Sequence, residues 1–192
     1  MREVGNGTGS GAMVAGGAGA IVVVVVEVVV EPAITGAERP AAAVPAIGNG
    51  FDPAAIYARR APGVVTLYAD LGAAGQSQGS GFVVDAKGTI LTNAHVVDGA
   101  RKVTVKLIDH REFEAKVVGV DTKSDVAVLK IEATGLPVVT LGDPRQLEVG
   151  EWVVAIGSPF GFENSVTAGI VSAKGRSLPD DTYVPFIQTD VA

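Results

Sequence analysis

The sequence predicts an all-β fold: six short strands that close into a barrel, then three more that begin a second sheet without closing it. Three observations carry that reading. The apolar segments after residue 50 are short and closely spaced, at 64–68, 81–85, 89–93, 102–108, 112–121 and 126–131. The joints between them hold turn residues, such as Asp85-Ala86-Lys87-Gly88 and Asp109-His110-Arg111. No helical crossover separates them, so neighbouring strands run antiparallel, and closing such a sheet removes its exposed edges.

Taken in order from the N-terminus, residues 1–31 read as a leader and 32–50 as a linker. Residues 11–30 carry a single charge, Glu27, over 20 positions, about the length that crosses a bilayer core, which points to membrane association or export. Four glycines among residues 11–26, and an Arg2 offset by Glu3, fit a low-complexity leader instead. In that case the β-branched stretch 21–26 has no packed partner and is an aggregation hazard. Pro40 and Pro45 among alanines mark the linker.

Asp52-Pro53 opens a short helix, because Asp can accept from the free first-turn amides and Pro suits the first helical position. It ends near Arg60, ahead of Pro62. The six strands follow, with Val103, Val105 and Leu107 alternating against Thr104 and Lys106 as a half-buried strand requires. After Leu136-Pro137 come strands at 152–156, 165–173 and 186–190, too few to close a second barrel. Gly157, Gly161 and Gly169 are expected at turns or bulges.

Composition narrows the function. The 192 residues hold 15 Lys+Arg against 21 Asp+Glu, a formal net charge of -6, with no basic block. Nucleic-acid binding needs a basic stripe to displace counterions, so no nucleic acid is expected as a partner. At 47% hydrophobic and only 19% charged, the chain can bury a core and is not a disordered acidic tail. The absence of cysteine excludes a disulfide scaffold, a thiolate metal site and a Cys nucleophile, while leaving the compartment open. No metal constellation or cofactor motif is visible, and Gly157-Ser158-Pro159-Phe160-Gly161 lacks the Lys of a phosphate loop.

Two histidines bound the acid-base chemistry. His95 follows an apolar strand within Thr92-Asn93-Ala94-His95-Val96-Val97, and Asp125 stands at the mouth of another strand. A His held by an Asp is the base and orienter of a triad: the carboxylate fixes one ring nitrogen and leaves the other to take a proton from a hydroxyl. Taken alone, the same residues also fit a structural histidine and a turn-forming aspartate. His110, between Asp109 and Arg111, reads as a solvated hairpin tip.

Longer motifs add to this. Gly79-Ser80-Gly81-Phe82-Val83-Val84, then Gly88-Thr89-Ile90-Leu91-Thr92-Asn93-Ala94-His95-Val96-Val97, then Ser124-Asp125-Val126-Ala127-Val128-Leu129-Lys130 come in this order. Leu141-Gly142-Asp143, Val149-Gly150-Glu151-Trp152, Thr167-Ala168-Gly169-Ile170-Val171-Ser172-Ala173 and Ile187-Gln188-Thr189-Asp190 follow. Over residues 51–192 this ordered run resembles the HtrA/Deg family of chymotrypsin-fold serine proteases. The resemblance implies a chymotrypsin-like double β-barrel, with the first barrel complete over 51–140 and the second only partly present over 141–192. It implies His95 as general base and Asp125 as the residue that orients it. It further implies endoproteolysis of unfolded or damaged polypeptides in the bacterial cell envelope, with homotrimers as the common assembly.

The family's nucleophile lies in a Gly-Asn-Ser-Gly-Gly segment shortly after Gln188-Thr189-Asp190, and these residues end at Ala192. Ser80 is expected in a turn leading into a strand, Ser158 in a Gly-Ser-Pro turn and Ser124 beside Asp125, none in the elbow that presents a nucleophile. The 192 residues are therefore expected to be an inactive fragment of such a protease; a non-catalytic peptide-binding or membrane-tethered module is the alternative. By the same resemblance Ala192 falls on the approach to the S1 pocket. A methyl there offers no carboxylate to a Lys or Arg side chain, so small aliphatic P1 residues are expected.

Overall fold

The computed structural model of the chain describes residues 9–15, 22–28, 51–158, 164–178 and 181–191. Strands β1 (Gly9–Ala15) and β2 (Val22–Val28) pair antiparallel as a hairpin. Residues 22–28 of the valine run thus have a backbone partner in β1. Among the described residues no helix is long and apolar enough to cross a membrane, a statement that leaves strand crossings aside.

Helix α1 (Pro53–Arg60) forms where expected. The Asp52 carboxylate accepts from the Ala55 amide at 3.1 Å, Pro53 begins the helix, and Arg59 and Arg60 sit at its negative end. Strands β3 (Val64–Asp70), β4 (Gln76–Val83), β5 (Thr89–Thr92), β6 (Lys102–Lys106), β7 (Glu112–Asp121) and β8 (Val126–Ile131) close into a barrel in the order β3-β4-β5-β8-β7-β6. Every pairing is antiparallel. The closed barrel and its strand count agree with the sequence.

The second strand differs, since it runs over Gln76–Val83 rather than 81–85. Its first residues are polar and lack an apolar signal; pairing from Asp70↔Gln76 through Val64↔Phe82 makes them strand. The β4–β5 turn behaves as expected. Asp85 Oδ1 accepts from the Lys87 amide at 2.8 Å and the Thr89 amide at 3.1 Å. The Thr89 hydrogen bonds hold the Asp85 carboxyl below the usual aspartate range. Gly88 has φ +97°, and a Cβ there would collide with the Ile131 carbonyl, so both conformation and space demand glycine.

Inward-facing Val65, Leu67, Ile90, Val105, Leu129 and Ile131 fill the barrel. A second core forms at its side. There α1 (Ile56), β3 (Val64) and β4 (Phe82) pack with Val154 and Ile156 of β9 (Trp152–Gly157), and Phe51 stacks on Trp152 with ring centroids 5.3 Å apart. Strand β9 pairs with β10 (Ser165–Leu178), which pairs with β11 (Asp181–Thr189), giving a three-stranded sheet in the order β11-β10-β9. The last two strands run longer than expected, because β10 continues through Gly175 at φ +68° and its pairing with β11 is irregular.

Gly169 corrects its expected role. It lies within β10 opposite Val153, neither turn nor bulge, and a Cβ would meet Asp190 Oδ1 and the Val191 backbone. The Asp190 carboxylate accepts from the Ile170 amide at 2.6 Å across that gap. Gly157 ends β9 opposite Ser165, and Gly161 lies outside the described residues.

Two outcomes follow from this packing. Leu129 is fully buried in the barrel, so Leu129→Ala should lower stability by about 2–5 kcal/mol, read as a shift in urea midpoint. Asp143 caps the Pro144–Gln146 turn, and the Arg145 guanidinium, aided by the Arg145 amide, holds its carboxyl down at about 2 against an ordinary 3.8. The contribution of this depressed group is complete above 3.8 and is lost as pH falls through about 2. In a carboxyl-carbon NMR titration, Arg145→Gln should move the Asp143 midpoint upward; an unmoved midpoint would assign the depression to the backbone cap.

Candidate active site

Strand β5 delivers the chain to the barrel rim at Asn93, where it turns into the single helical turn α2 (Ala94–Val97). This turn leaves no signal in the sequence, since four residues are too few to display helical periodicity. Ala94, Val96 and Val97 are buried, which leaves His95 as the exposed position of the turn. Packing of three apolar neighbours thus fixes the backbone beneath the ring.

Asp125 reaches the same spot from β8, the neighbour of β5 in the barrel, with Thr92↔Ala127 their last paired residues. Its φ is +54°, in the left-handed region that only Gly, Asn and Asp adopt readily. That conformation aims both ends of the residue at α2. The Asp125 carbonyl accepts from the Ala94 amide at 3.1 Å, and Oδ1 accepts from the His95 amide at 3.0 Å. Oδ2 accepts from His95 Nδ1 at 2.6 Å, a short bond of the kind that charge assistance produces.

A carboxylate can only accept, so Nδ1 carries the proton and Nε2 holds the ring's free lone pair. The His95 side chain is 42% exposed and that of Asp125 28%, so the ring is open to a reacting group while the carboxylate sits behind it. The pair can take a proton at Nε2 and stabilise the resulting imidazolium. Both sequence-predicted polar residues therefore meet, although 30 positions separate them.

The remaining candidates fall elsewhere. His110 is an exposed hairpin tip at φ 67°, as read from sequence. Ser80 is fully buried inside β4, not in a turn, and its hydroxyl accepts from the Ser158 amide at 2.7 Å. Ser158 Oγ accepts from the Thr66 hydroxyl at 2.6 Å, and the Ser124 hydroxyl donates to Asp121 at 2.8 Å. Ala192 lies outside the described residues. Among the described residues no group of three or more His, Asp or Glu is placed to hold a metal ion.

The sequence places Asn93 in the motif around His95 but does not by itself assign it a role. It stands at the N-cap of α2, yet its side chain makes no cap; Nδ2 donates to Asp125 Oδ2 at 2.8 Å and to the Asp125 carbonyl at 3.3 Å. An Asn two residues before the candidate base, at a strand end, was the available signal.

A family model described as a trypsin-like peptidase domain matches residues 79–192. The chain belongs to this family. Among curated proteins it is 68% identical over 117 residues to a probable periplasmic serine endoprotease DegP-like of Hahella chejuensis, covering 61% of this chain and 25% of that protein. A protein of the same description from Ectopseudomonas mendocina is 65% identical over the same length and shares. The chain thus spans about a quarter of the length of these relatives.

Among solved structures, an HtrA-type protease AlgW with tripeptide superposes with a TM-score of 0.67 at 45% identity, covering 70% of this chain and 44% of that one. The same protease with decapeptide gives 0.64 at 38% identity, covering 70% and 50%. The resemblance to HtrA/Deg proteases read from the motifs therefore holds, and the closed barrel with its partial second sheet is the trypsin-like, chymotrypsin-type architecture.

The left-handed Asp125 makes a stability prediction. Asp125→Ala and Asp125→Gly both remove the carboxylate, but only Ala keeps a Cβ that disfavours φ +54°. The glycine variant should be more stable than the alanine variant by about 1–2 kcal/mol in urea titrations. Equal midpoints would mean that the backbone relaxes once the carboxylate is gone.

Proposed function

We propose that this chain is part of a serine endopeptidase of the HtrA/Deg type, in which His95 is the general base and Asp125 orients it. The observation that carries the reading is the 2.6 Å bond from His95 Nδ1 to Asp125 Oδ2, with the opposite edge of the ring left accessible. In such an enzyme Nε2 takes the proton from a serine hydroxyl as it attacks the scissile carbonyl, then returns it to the leaving amine. Asp125 holds the tautomer and balances the imidazolium charge.

The nucleophile belongs to the Gly-Asn-Ser-Gly-Gly segment that the resemblance expects after Asp190. Ser80 and Ser158 are buried and bonded away from His95, and the Ser124 hydroxyl bonds Asp121, so none of these three takes the place of that segment, and we expect the 192 residues on their own to be inactive. Residues 51–140 act as the first barrel and 141–192 as part of the second. Substrates are unfolded or damaged polypeptides, a reading supported by the tripeptide and decapeptide of the HtrA-type neighbours. The periplasmic description of the DegP-like relatives supports a place in the cell envelope, reached through export or membrane association by residues 11–30. Homotrimers are the assembly the resemblance implies. Ala192, on the approach to S1, favours small aliphatic P1 residues over Lys and Arg.

A fluorophosphonate probe tests the reading. The 192-residue chain should remain unlabelled, whereas a longer chain carrying the Gly-Asn-Ser-Gly-Gly segment should be labelled at one serine and cleave unfolded protein. In that longer chain Asp125→Asn should cut kcat by roughly 10⁴-fold, through loss of the productive tautomer. Labelling of the 192 residues that depends on His95 would mean another serine serves as nucleophile. A longer chain that binds peptides without cleaving them would favour a non-catalytic peptide-binding module.

A further inference from the structure

We propose that Asn93 is a positioning residue that holds the Asp125 carboxylate in line with His95, and thereby keeps the ring in the tautomer that leaves Nε2 free. The inference rests on the reading of His95 as base. Two of the three bonds to the Asp125 carboxylate come from His95 itself, one from its amide and one from Nδ1. The fixed backbone amide anchors Oδ1, but Oδ2, the oxygen that faces the ring, can still turn about that anchor together with the ring unless a third group holds it.

Among the described residues, Asn93 is the one side chain other than His95 that bonds this carboxylate. Its amide nitrogen has two protons, and both are used on Asp125: one on Oδ2 at 2.8 Å, one on the backbone carbonyl at 3.3 Å. A single planar group thus grips both the side chain and the main chain of a residue held at φ +54°. Asn93 itself cannot drift, since it is fully buried at the end of β5.

The other end of the amide supports the assignment. Asn93 Oδ1 is buried and makes no hydrogen bond among the described residues, so the group is oriented by its donor end alone. Turning it over would set Oδ1 against two acceptors of Asp125, which the chemistry forbids. The usual task of an Asn at this position, capping the following helical turn, is not performed. Asn93 also donates to the same oxygen that receives the His95 proton, so it fixes which lone pair of Oδ2 remains for the ring.

Two histidines make the test clean, because His110 at an exposed hairpin tip serves as an internal control. With histidine-selective ¹⁵N labelling, at a pH where the rings are neutral, ring nitrogen shifts report the tautomer of each. In the unaltered chain His95 should be wholly the Nδ1–H form. Asn93→Leu, similar in shape but without donors, should convert it to a mixture with Nε2–H and leave His110 unmoved. Asn93→Ala should do the same if the leucine variant does not fold.

An unaltered His95 tautomer in either folded variant would overturn the role of Asn93 while leaving the base assignment intact. A His95 in the unaltered chain that is not Nδ1–H would instead overturn the base assignment. A second measurement needs no variant at all. The Asn93 side-chain amide protons should exchange with solvent far more slowly than those of an exposed asparagine, and exchange at the free rate would overturn the proposal.

Discussion

The adjacency of β5 and β8 in a closed barrel is the constraint on which the site depends. These strands are not consecutive, since β6 and β7 lie between them in the chain, and the barrel returns β8 to the open edge of β5. Pairing from Thr89↔Lys130 to Thr92↔Ala127 then carries Asn93 and Asp125 off the same rim. A slip of one residue would turn every side chain of β8 to the opposite face, burying Val126, Val128 and Lys130 and expelling Ala127, Leu129 and Ile131. The hydrophobic register of the barrel and the meeting of His95 with Asp125 are one requirement.

The barrel does not stand alone. Its flank is joined to β9 by the α1 core and by a buried run of hydroxyls: Thr66 to Ser158, the Ser158 amide to Ser80, and Thr92 to the Ser80 carbonyl at 2.8 Å. Buried polar groups are costly when unpaired and directional when paired, so this run sets the relation of the two sheets more sharply than apolar contact would. It ends at Thr92, the residue before Asn93. The segment carrying the candidate base is therefore tied both to its own barrel and to the sheet beside it.

Strain and polarity concentrate at the same place. The left-handed Asp125, the Asn93 side-chain oxygen, which has no partner among the described residues, and the short His95 bond all lie at one spot on the rim. Elsewhere the barrel follows ordinary rules: Asp-led turns, glycine where φ is positive apart from the exposed hairpin tip at His110, and apolar side chains facing inward. Local rules broken together at a solvent-facing rim, and kept in the surrounding barrel, are what a functional site on a rigid scaffold requires.

Much of this was legible in the sequence. The Asp52-Pro53 helix start, the Asp85–Gly88 turn, the alternation of β6 and the full bounds of β7 and β8 are local features whose physics acts within a few residues. The triad-like pair was legible through ordered motifs rather than spacing. What the sequence could not display were effects whose cause lies across the fold. The polar start of β4 is strand because β3 pairs with it, and Ser80 is buried where it meets Ser158, the residue that follows β9. Gly169 is required by Asp190, and Asn93 serves Asp125 instead of capping its own turn. Local propensity determined where the chain could turn, bend and extend; contacts between residues tens of positions apart decided which polar groups face each other, and with them the chemistry.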